Sequence, residues 1–114
     1  MARDTSFHDY VVHDVLGEVP GIMSRGMFGG WGIFKEGLMF GLITGGELYF
    51  KIDDENIGLF ESMDSYPFRF LKKGGKEVTL SYWNVSESVM EDREELMRLL
   101  GSSVDVAKRA RKKK

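Results

Sequence analysis

The segment Arg25–Lys51 constrains the fold more than any other part of the chain, because many aromatic residues alternate there with closely spaced glycines. Apolar runs that glycine interrupts at short intervals are typical of antiparallel hairpins and do not fit a helix. The interruptions fall at Gly29-Gly30, Glu36-Gly37 and Gly45-Gly46. They predict a meander of four strands, at about Ile22–Phe28, Trp31–Phe34, Leu38–Ile43 and Glu47–Ile52.

The segments that flank the meander predict helices and two more strands. Apolar residues at helical spacing indicate a first helix over about Thr5–Leu16, ended by Gly17. Asp4 or Thr5 can cap this helix, because their side-chain oxygens accept from free backbone N–H groups. Downstream, the changing periodicity predicts a helix, two strands and a long helix, at about Asp54–Ser62, Phe68–Leu71, Val78–Trp83 and Glu87–Leu100.

The C-terminal part is predicted to be helical in two pieces. Asn84 or Ser86 caps the long helix, and Gly101 ends it. Ser102 or Ser103 then begins a last helix that runs into the basic end of the chain. The sequence therefore predicts an α+β fold, an antiparallel sheet of about five to six strands, meander first, with helices packed on it.

Length and composition limit the class of protein. A chain of 114 residues is expected to form one domain, and it contains no cysteine that could form a disulfide or a thiolate metal site. The start of the chain has no continuous apolar core, so we expect no signal peptide. No apolar run approaches the length of a membrane span, and we expect a cytoplasmic protein without membrane contact.

The formal net charge of −2 conceals an uneven distribution of charge. Residues 108–114 contain six of the sixteen basic residues and no acidic residue, whereas residues 1–107 contain all eighteen acidic residues. We therefore expect a single domain over 1–107 and a basic C-terminal tail over 108–114. The net negative charge of residues 1–107 repels phosphate backbones, whereas the basic groups of the tail attract them. The basic candidates for an interaction are Lys72, Lys73, Lys76, Lys108, Arg109, Arg111, Lys112, Lys113 and Lys114.

Arg25 is a further interaction candidate, because it stands inside an apolar, glycine-rich run. Its two-pronged guanidinium could hold an acidic partner or a phosphate. Alternatively, it could pair with a carboxylate such as Asp53 or cap backbone carbonyls, and we favour this structural interpretation because buried charges are normally paired.

The remaining motifs predict no reaction centre. The glycine-rich segment 26–32 matches neither nucleotide-binding pattern and precedes no helix. The acidic segment 53–56 lacks the offsets of an EF-hand loop and suits a helix start. His8 and His13 are five residues apart, so they point to different sides of a helix and are expected to be solvated or capping residues. The serines lack a nucleophile-elbow context. We therefore expect no catalytic residues, metal or cofactor.

The order of motifs along the chain resembles the TfoX N-terminal-domain family, also called Sxy-like. The similarity extends over about residues 7–111, with Ser86 standing where the family usually has proline. The matching motifs are Arg25–Gly30, Gly37–Ile43, Leu48–Lys51, Asp54, Asn56, Phe60, Pro67-Phe68, Ser81–Trp83 and Glu91-Asp92.

This resemblance implies a two-layer α+β domain similar to the secretion-chaperone-like group. It also implies a link to regulators of natural competence, which act with a cyclic-AMP receptor protein at certain promoters. Longer members carry a second, C-terminal domain. The family has no agreed catalytic residues, so the resemblance assigns none to this chain.

Three functional hypotheses follow. The first is a non-enzymatic regulatory or adaptor domain that assists transcription through contacts with a protein partner. The alternatives are a nucleic-acid-binding protein that uses its basic tail, and a small-ligand binder or enzyme with an aromatic cleft along the meander. The sequence leaves the oligomeric state open, and a dimer is compatible with it.

Overall fold

The computed structural model of the chain describes residues 5–27, 29–63 and 65–112. Six strands form one antiparallel sheet there, in the order β1-β2-β3-β4-β6-β5, which confirms the predicted fold class and the meander. The strands are β1 (Ile22–Met27), β2 (Gly30–Lys35), β3 (Leu38–Thr44), β4 (Glu47–Lys51), β5 (Pro67–Leu71) and β6 (Glu77–Val85). The helices are α1 (Thr5–Asp9), continued by π-helical turns over Tyr10–Val15, α2 (Ile57–Glu61), α3 (Glu87–Met90) and α4 (Arg93–Lys112).

The hairpin turns of the meander fall where glycine predicts them. Gly45 and Gly46 both have positive φ angles, of 60° and 74°, and connect β3 to β4. Two-residue hairpins need this left-handed backbone to match the twist of the strands. Glu36 (φ 51°) and Gly37 (φ 85°) form the corresponding turn between β2 and β3. Phe28, the predicted end of the first strand, lies outside the described residues.

The two faces of the sheet differ in what covers them. One face packs against the helices, in a core that includes Ile33 and Phe50 from the strands and Leu99 and Val104 from α4. Side chains directly opposite each other on neighbouring strands share a face. The other face therefore carries one row across five strands, composed of Arg25, Gly32, Leu42, Tyr49 and Asn84. We call this the outer face.

The first helix forms as predicted, although its second half has wider π-helical turns. Leu16 donates its backbone N–H to the carbonyl of Val11 over 2.9 Å, five residues back. Val11, Val15 and Leu16 are all buried, and the wider turn lets residues at these spacings face the core together. The predicted alternative cap Asp4 lies outside the described residues.

The predicted break at Gly101 is wrong, as is the predicted start at Ser102 or Ser103. Residues 93–112 form one helix, and Gly101 lies exposed in its interior. The helix continues because Ser103, Val104, Val106 and Ala107 are buried beyond this glycine. Their packing outweighs the cost of one glycine, which is about 1 kcal/mol. None of the helices in the described part of the chain is long and apolar enough to cross a membrane.

The boundary between helices lies instead at residues 91–92. Ser86 caps α3, as one of the two predicted alternatives, by accepting the backbone N–H of Val89 over 3.3 Å. Asp92 accepts the backbone N–H of Glu95 over 3.2 Å at the start of α4. A second capping side chain within the predicted long helix therefore marks the point where the chain turns.

Candidate interaction surfaces

The turn 53–56 fastens the end of β4 to the middle of α4. Asn56 is 3% exposed, and its side-chain amide donates to the Lys51 carbonyl and to Ser102 Oγ, both over 3.1 Å. Its side-chain oxygen accepts the backbone N–H of Asp53 over 2.8 Å. Ser103 Oγ donates to the same Lys51 carbonyl over 2.7 Å. This network explains why α2 begins only at Ile57, since residues 53–56 form a turn and not the first part of the predicted helix.

Asp53 is paired with Arg109, and the predicted pairing of Arg25 with Asp53 is therefore wrong. The guanidinium of Arg109 donates through Nε and Nη2 to the two carboxylate oxygens of Asp53, each over 2.9 Å. Glu55 adds a carboxylate oxygen 3.2 Å from Nε. The hydrogen bonds from Arg109 lower the pKa of Asp53, and in return the pKa of Arg109 is raised. Arg109 is consequently held within the domain by two carboxylates.

Apart from Arg25, the other basic candidates that the structure describes lie at one end of the molecule. Tyr82 of β6 is opposite Lys51, the last residue of β4, so the hairpin loop 72–76 extends beyond that end of β4. Glu77, the first residue of β6, is five residues before Tyr82, which is about 17 Å along the strand. Arg109 places the last turns of α4 beside Asp53, at the same end. We call this region the basic end; its described exposed members are Lys72, Lys73, Lys76, Lys108, Arg111 and Lys112.

The remaining predicted members of the basic tail, Lys113 and Lys114, lie outside the described residues. Lys108 to Lys112 belong to α4 and are held to the sheet through Arg109. The loop between β5 and β6 is a tight turn in which Lys72 and Lys76 are joined by a 2.7 Å backbone hydrogen bond. The first basic group therefore lies in a closed hairpin turn and the second on a helix.

Arg25 lies on β1, at the opposite edge of the sheet from β5. Its guanidinium carbon is 5.2 Å from the ring centre of Phe34, on the neighbouring strand β2, and the side chain is exposed. The two residues line an open groove of about 320 Å³ with Met23, Ser24 and Gly37. The groove runs along the edge strand and brings one cation together with apolar side chains.

His8 is the residue whose role differs most from expectation. His13 is exposed as predicted, but the His8 side chain is only 14% exposed, and its Nε2 lies 2.8 Å from Ser24 Oγ. Its ring centre is 4.5 Å from that of Trp31, and its Nδ1 is 3.0 Å from a carboxylate oxygen of Asp9. A serine, a histidine and an aspartate thus meet in the order that serine hydrolases use.

This chain of contacts has a structural explanation. The Asp9 side chain is 59% exposed and adjacent to His8 in sequence, whereas catalytic aspartates of this kind are buried and orient the imidazole. We therefore interpret the contact of His8 with Ser24 as the hydrogen bond that fastens α1 to β1. Sequence patterns contain no signal for it, because it depends on where α1 lies on the sheet.

The outer face also carries an aromatic group near β5. Tyr49 contacts the rings of Tyr66 and Phe68, at centre distances of 6.4 Å and 5.1 Å. Tyr66 donates its hydroxyl to Glu47, and this hydrogen bond to the carboxylate raises the pKa of Tyr66 to about 12. Burial, with a further contribution from Glu47, also raises the pKa of Tyr49. These contacts link β4 to β5 across β6.

Comparison with known proteins identifies the family. The sequence profile of the TfoX N-terminal domain matches residues 14–107. Protein Sxy of Escherichia coli (strain K12) is 29% identical over 100 residues, which are 86% of this chain and 46% of that protein. DNA transformation protein TfoX1 of Aliivibrio fischeri is 40% identical over 63 residues, which are 55% of this chain and 30% of that protein. The chain thus spans less than half the length of these two relatives. It belongs to the TfoX N-terminal domain family.

Proposed function

We propose that this chain is a cytoplasmic, non-enzymatic regulatory domain that assists transcription through contact with a protein partner, in a process related to natural competence. The observation that supports the proposal is the family match over residues 14–107, together with a relative named as a DNA transformation protein. The folded core is compatible with this role, since the buried polar residues Asn56 and Ser103 are engaged in holding α4 to the end of β4. The edges of the sheet and the ends of the molecule are then the surfaces available for contact with a partner.

Deletion of the gene and measurement of all transcripts test this proposal. We expect a defined set of transcripts to fall in the deletion strain and to recover when the full chain is restored. Cross-linking of the tagged chain in cells is expected to recover a component of the transcription apparatus. Unchanged transcripts, with no such component among the cross-linked proteins, would contradict the proposal.

Direct contact with nucleic acid is the second candidate function, and the basic end favours it. Two basic groups that are far apart in sequence, the 72–76 loop and the end of α4, lie at the same end of the sheet. One group lies in a hairpin loop and the other on the end of α4, and together they present positive charge that attracts a phosphate backbone. Glu91 and Glu94 lie toward the start of α4, whereas the exposed Glu55 and Glu77 lie beside the basic end, where its six described exposed basic residues outnumber them.

DNA binding measured over a range of salt concentrations tests this second function. Binding that weakens steeply with salt is expected, because phosphate contacts release counterions. Replacing Lys72, Lys73 and Lys76 with glutamate should weaken binding and reduce the salt dependence. Arg98→Glu, a change of the same sign on the exposed face near the start of α4, is the control. No binding at low salt, or equal loss in the control, would exclude the basic end as a DNA-binding surface.

A further inference from the structure

As far as the structure describes the chain, the edge strand β1 presents backbone hydrogen-bonding groups that are not used within the sheet. The backbone N–H of Glu36 donates to the carbonyl of Gly21 over 2.9 Å, which identifies these two residues as a hydrogen-bonded pair of the β1–β2 ladder. Such pairs alternate along antiparallel strands. Met23 and Arg25 therefore bond to β2, whereas the backbone groups of the alternate residues point away from it.

Those alternate residues are Ile22, Ser24 and Gly26. β1 is the first strand of the sheet order, and in the described part of the chain no backbone group pairs with these three residues from the open side. Together they offer three N–H donors and three carbonyl acceptors. A row of this kind is a template for the addition of another strand.

The side chains beside this edge define the chemistry of what could bind there. Met23 is 67% exposed on the outer face, directly opposite Phe34. Arg25 lies two residues further along the same face, and its guanidinium is held over the Phe34 ring. Within the described residues it has no carboxylate within 4.0 Å. The edge thus combines an exposed apolar side chain with a positioned cation that no carboxylate of the described chain neutralises.

We propose that the open edge of β1 binds an extended, acidic segment of a partner protein, which adds a strand to the sheet; this deepens the proposed function and rests on it. The sheet is antiparallel throughout, so an antiparallel segment places one side chain opposite Arg25 and, two residues later, another opposite Met23. The segment recognised is therefore an acidic residue, any residue, then an apolar residue. The backbone contributes affinity, and Arg25 with Met23 contributes specificity.

A second copy of this chain fits the edge less well. If β1 paired with its own copy in antiparallel fashion around Ser24, each Arg25 would lie opposite Met23 of the other copy. The two Arg25 residues would then be diagonal neighbours on the same face, with their backbones about 7–8 Å apart and their like charges close together. Like charges at this distance repel, whereas a carboxylate opposite Arg25 is attracted to it. Charge therefore favours an acidic partner over self-association.

The test uses the full chain and a synthetic probe, the capped peptide Ser-Thr-Glu-Thr-Val-Thr-Ser. Nuclear magnetic resonance titration with hydrogen exchange is expected to show new protection at the amides of Ile22, Ser24 and Gly26. Those of Met23 and Arg25 should change little, because they already bond to β2. Arg25→Glu should weaken binding about tenfold. A peptide with lysine in place of glutamate should bind Arg25→Glu better than it binds the unmodified protein.

Two controls separate strand addition from charge attraction alone. Arg69→Glu makes the same charge change on β5, the other edge strand, and should bind the probe like the unmodified protein. A probe N-methylated at its three threonines keeps its charge but loses the donors that face β1, and it should not bind. Equal binding of this probe, equal loss in both arginine variants, or protection elsewhere would overturn the proposal.

Light scattering of the free protein completes the test. A monomer is expected; a dimer in which the amides of Ile22, Ser24 and Gly26 are already protected would show that a second copy occupies the edge and would overturn the proposal. The peptide assay measures the edge alone. A chain that fails it but still changes transcript levels would refute the edge contact and leave the proposed function standing.

Discussion

Replacement of Gly101 by alanine tests the continuity of α4 through the sign of its effect on stability. Gly101 lies in the helix interior, it is exposed, and a Cβ atom added there would have no atom within 4 Å beyond its neighbours and the helix backbone. Alanine therefore gains helix propensity without a clash. The expected gain in the free energy of unfolding is about 0.8–1.0 kcal/mol, which corresponds to a rise in Tm of roughly 3–6 °C for a chain of this size.

Urea unfolding followed by circular dichroism measures this change, with Gly45→Ala as the matched control. Gly45 has a φ angle of 60° in the turn between β3 and β4, so alanine is strained there and should lower stability by about 1 kcal/mol. If the helix ended at Gly101, as its sequence suggests, that glycine would have a left-handed backbone and alanine would destabilise the protein. A loss of stability in Gly101→Ala would therefore refute a continuous α4.

Three further predictions concern the sheet and its ionisable groups. In Gly30→Ala the added Cβ would lie 1.9 Å from the Ile43 carbonyl oxygen, so β2 and β3 must move apart, and urea unfolding should show a loss of about 2–4 kcal/mol. Because the pKa of Asp53 is lowered in the folded state, its charge stabilises the protein above about pH 4, and this stabilisation is lost as the pH falls through the lowered pKa. Thermal unfolding should therefore show a lower Tm for Asp53→Asn than for the unmodified protein at pH 7, and a smaller difference between the two in strong acid. Ultraviolet titration should find Tyr66 ionising near pH 12, and Glu47→Gln should return it toward pH 10, since the carboxylate raises this pKa; an unchanged titration would contradict the hydrogen bond.

Local patterns predict the sheet well because its turns need particular residues. Glycine at Gly37, Gly45 and Gly46 supplies left-handed backbone that other residues adopt at a cost, so the hairpins can be located from the sequence. The alternation in Glu47–Lys51 likewise predicts a strand, and Leu48 and Phe50 are buried on one face as that pattern requires.

Contacts between distant parts of the chain could not be predicted in the same way. Asp53 and Arg109 are 56 residues apart, and their pairing depends on α4 crossing beneath β4 as far as residue 109. A helix that ends at Gly101 does not bring Arg109 beside Asp53, so the sequence suggests Arg25 as the ion-pair partner of Asp53. Local propensity at a single glycine was a poor guide because the buried residues beyond it decide the length of the helix.

Complementation of the gene deletion with edge-strand variants tests the central claim, that this domain acts through a partner bound at the edge of β1, most directly. Transcript levels would be measured in deletion strains that carry the unmodified chain, Arg25→Glu or Arg69→Glu at equal protein abundance. We predict that the unmodified chain and Arg69→Glu restore the affected transcripts and that Arg25→Glu does not. Full restoration by Arg25→Glu would contradict a role for the β1 edge in regulation.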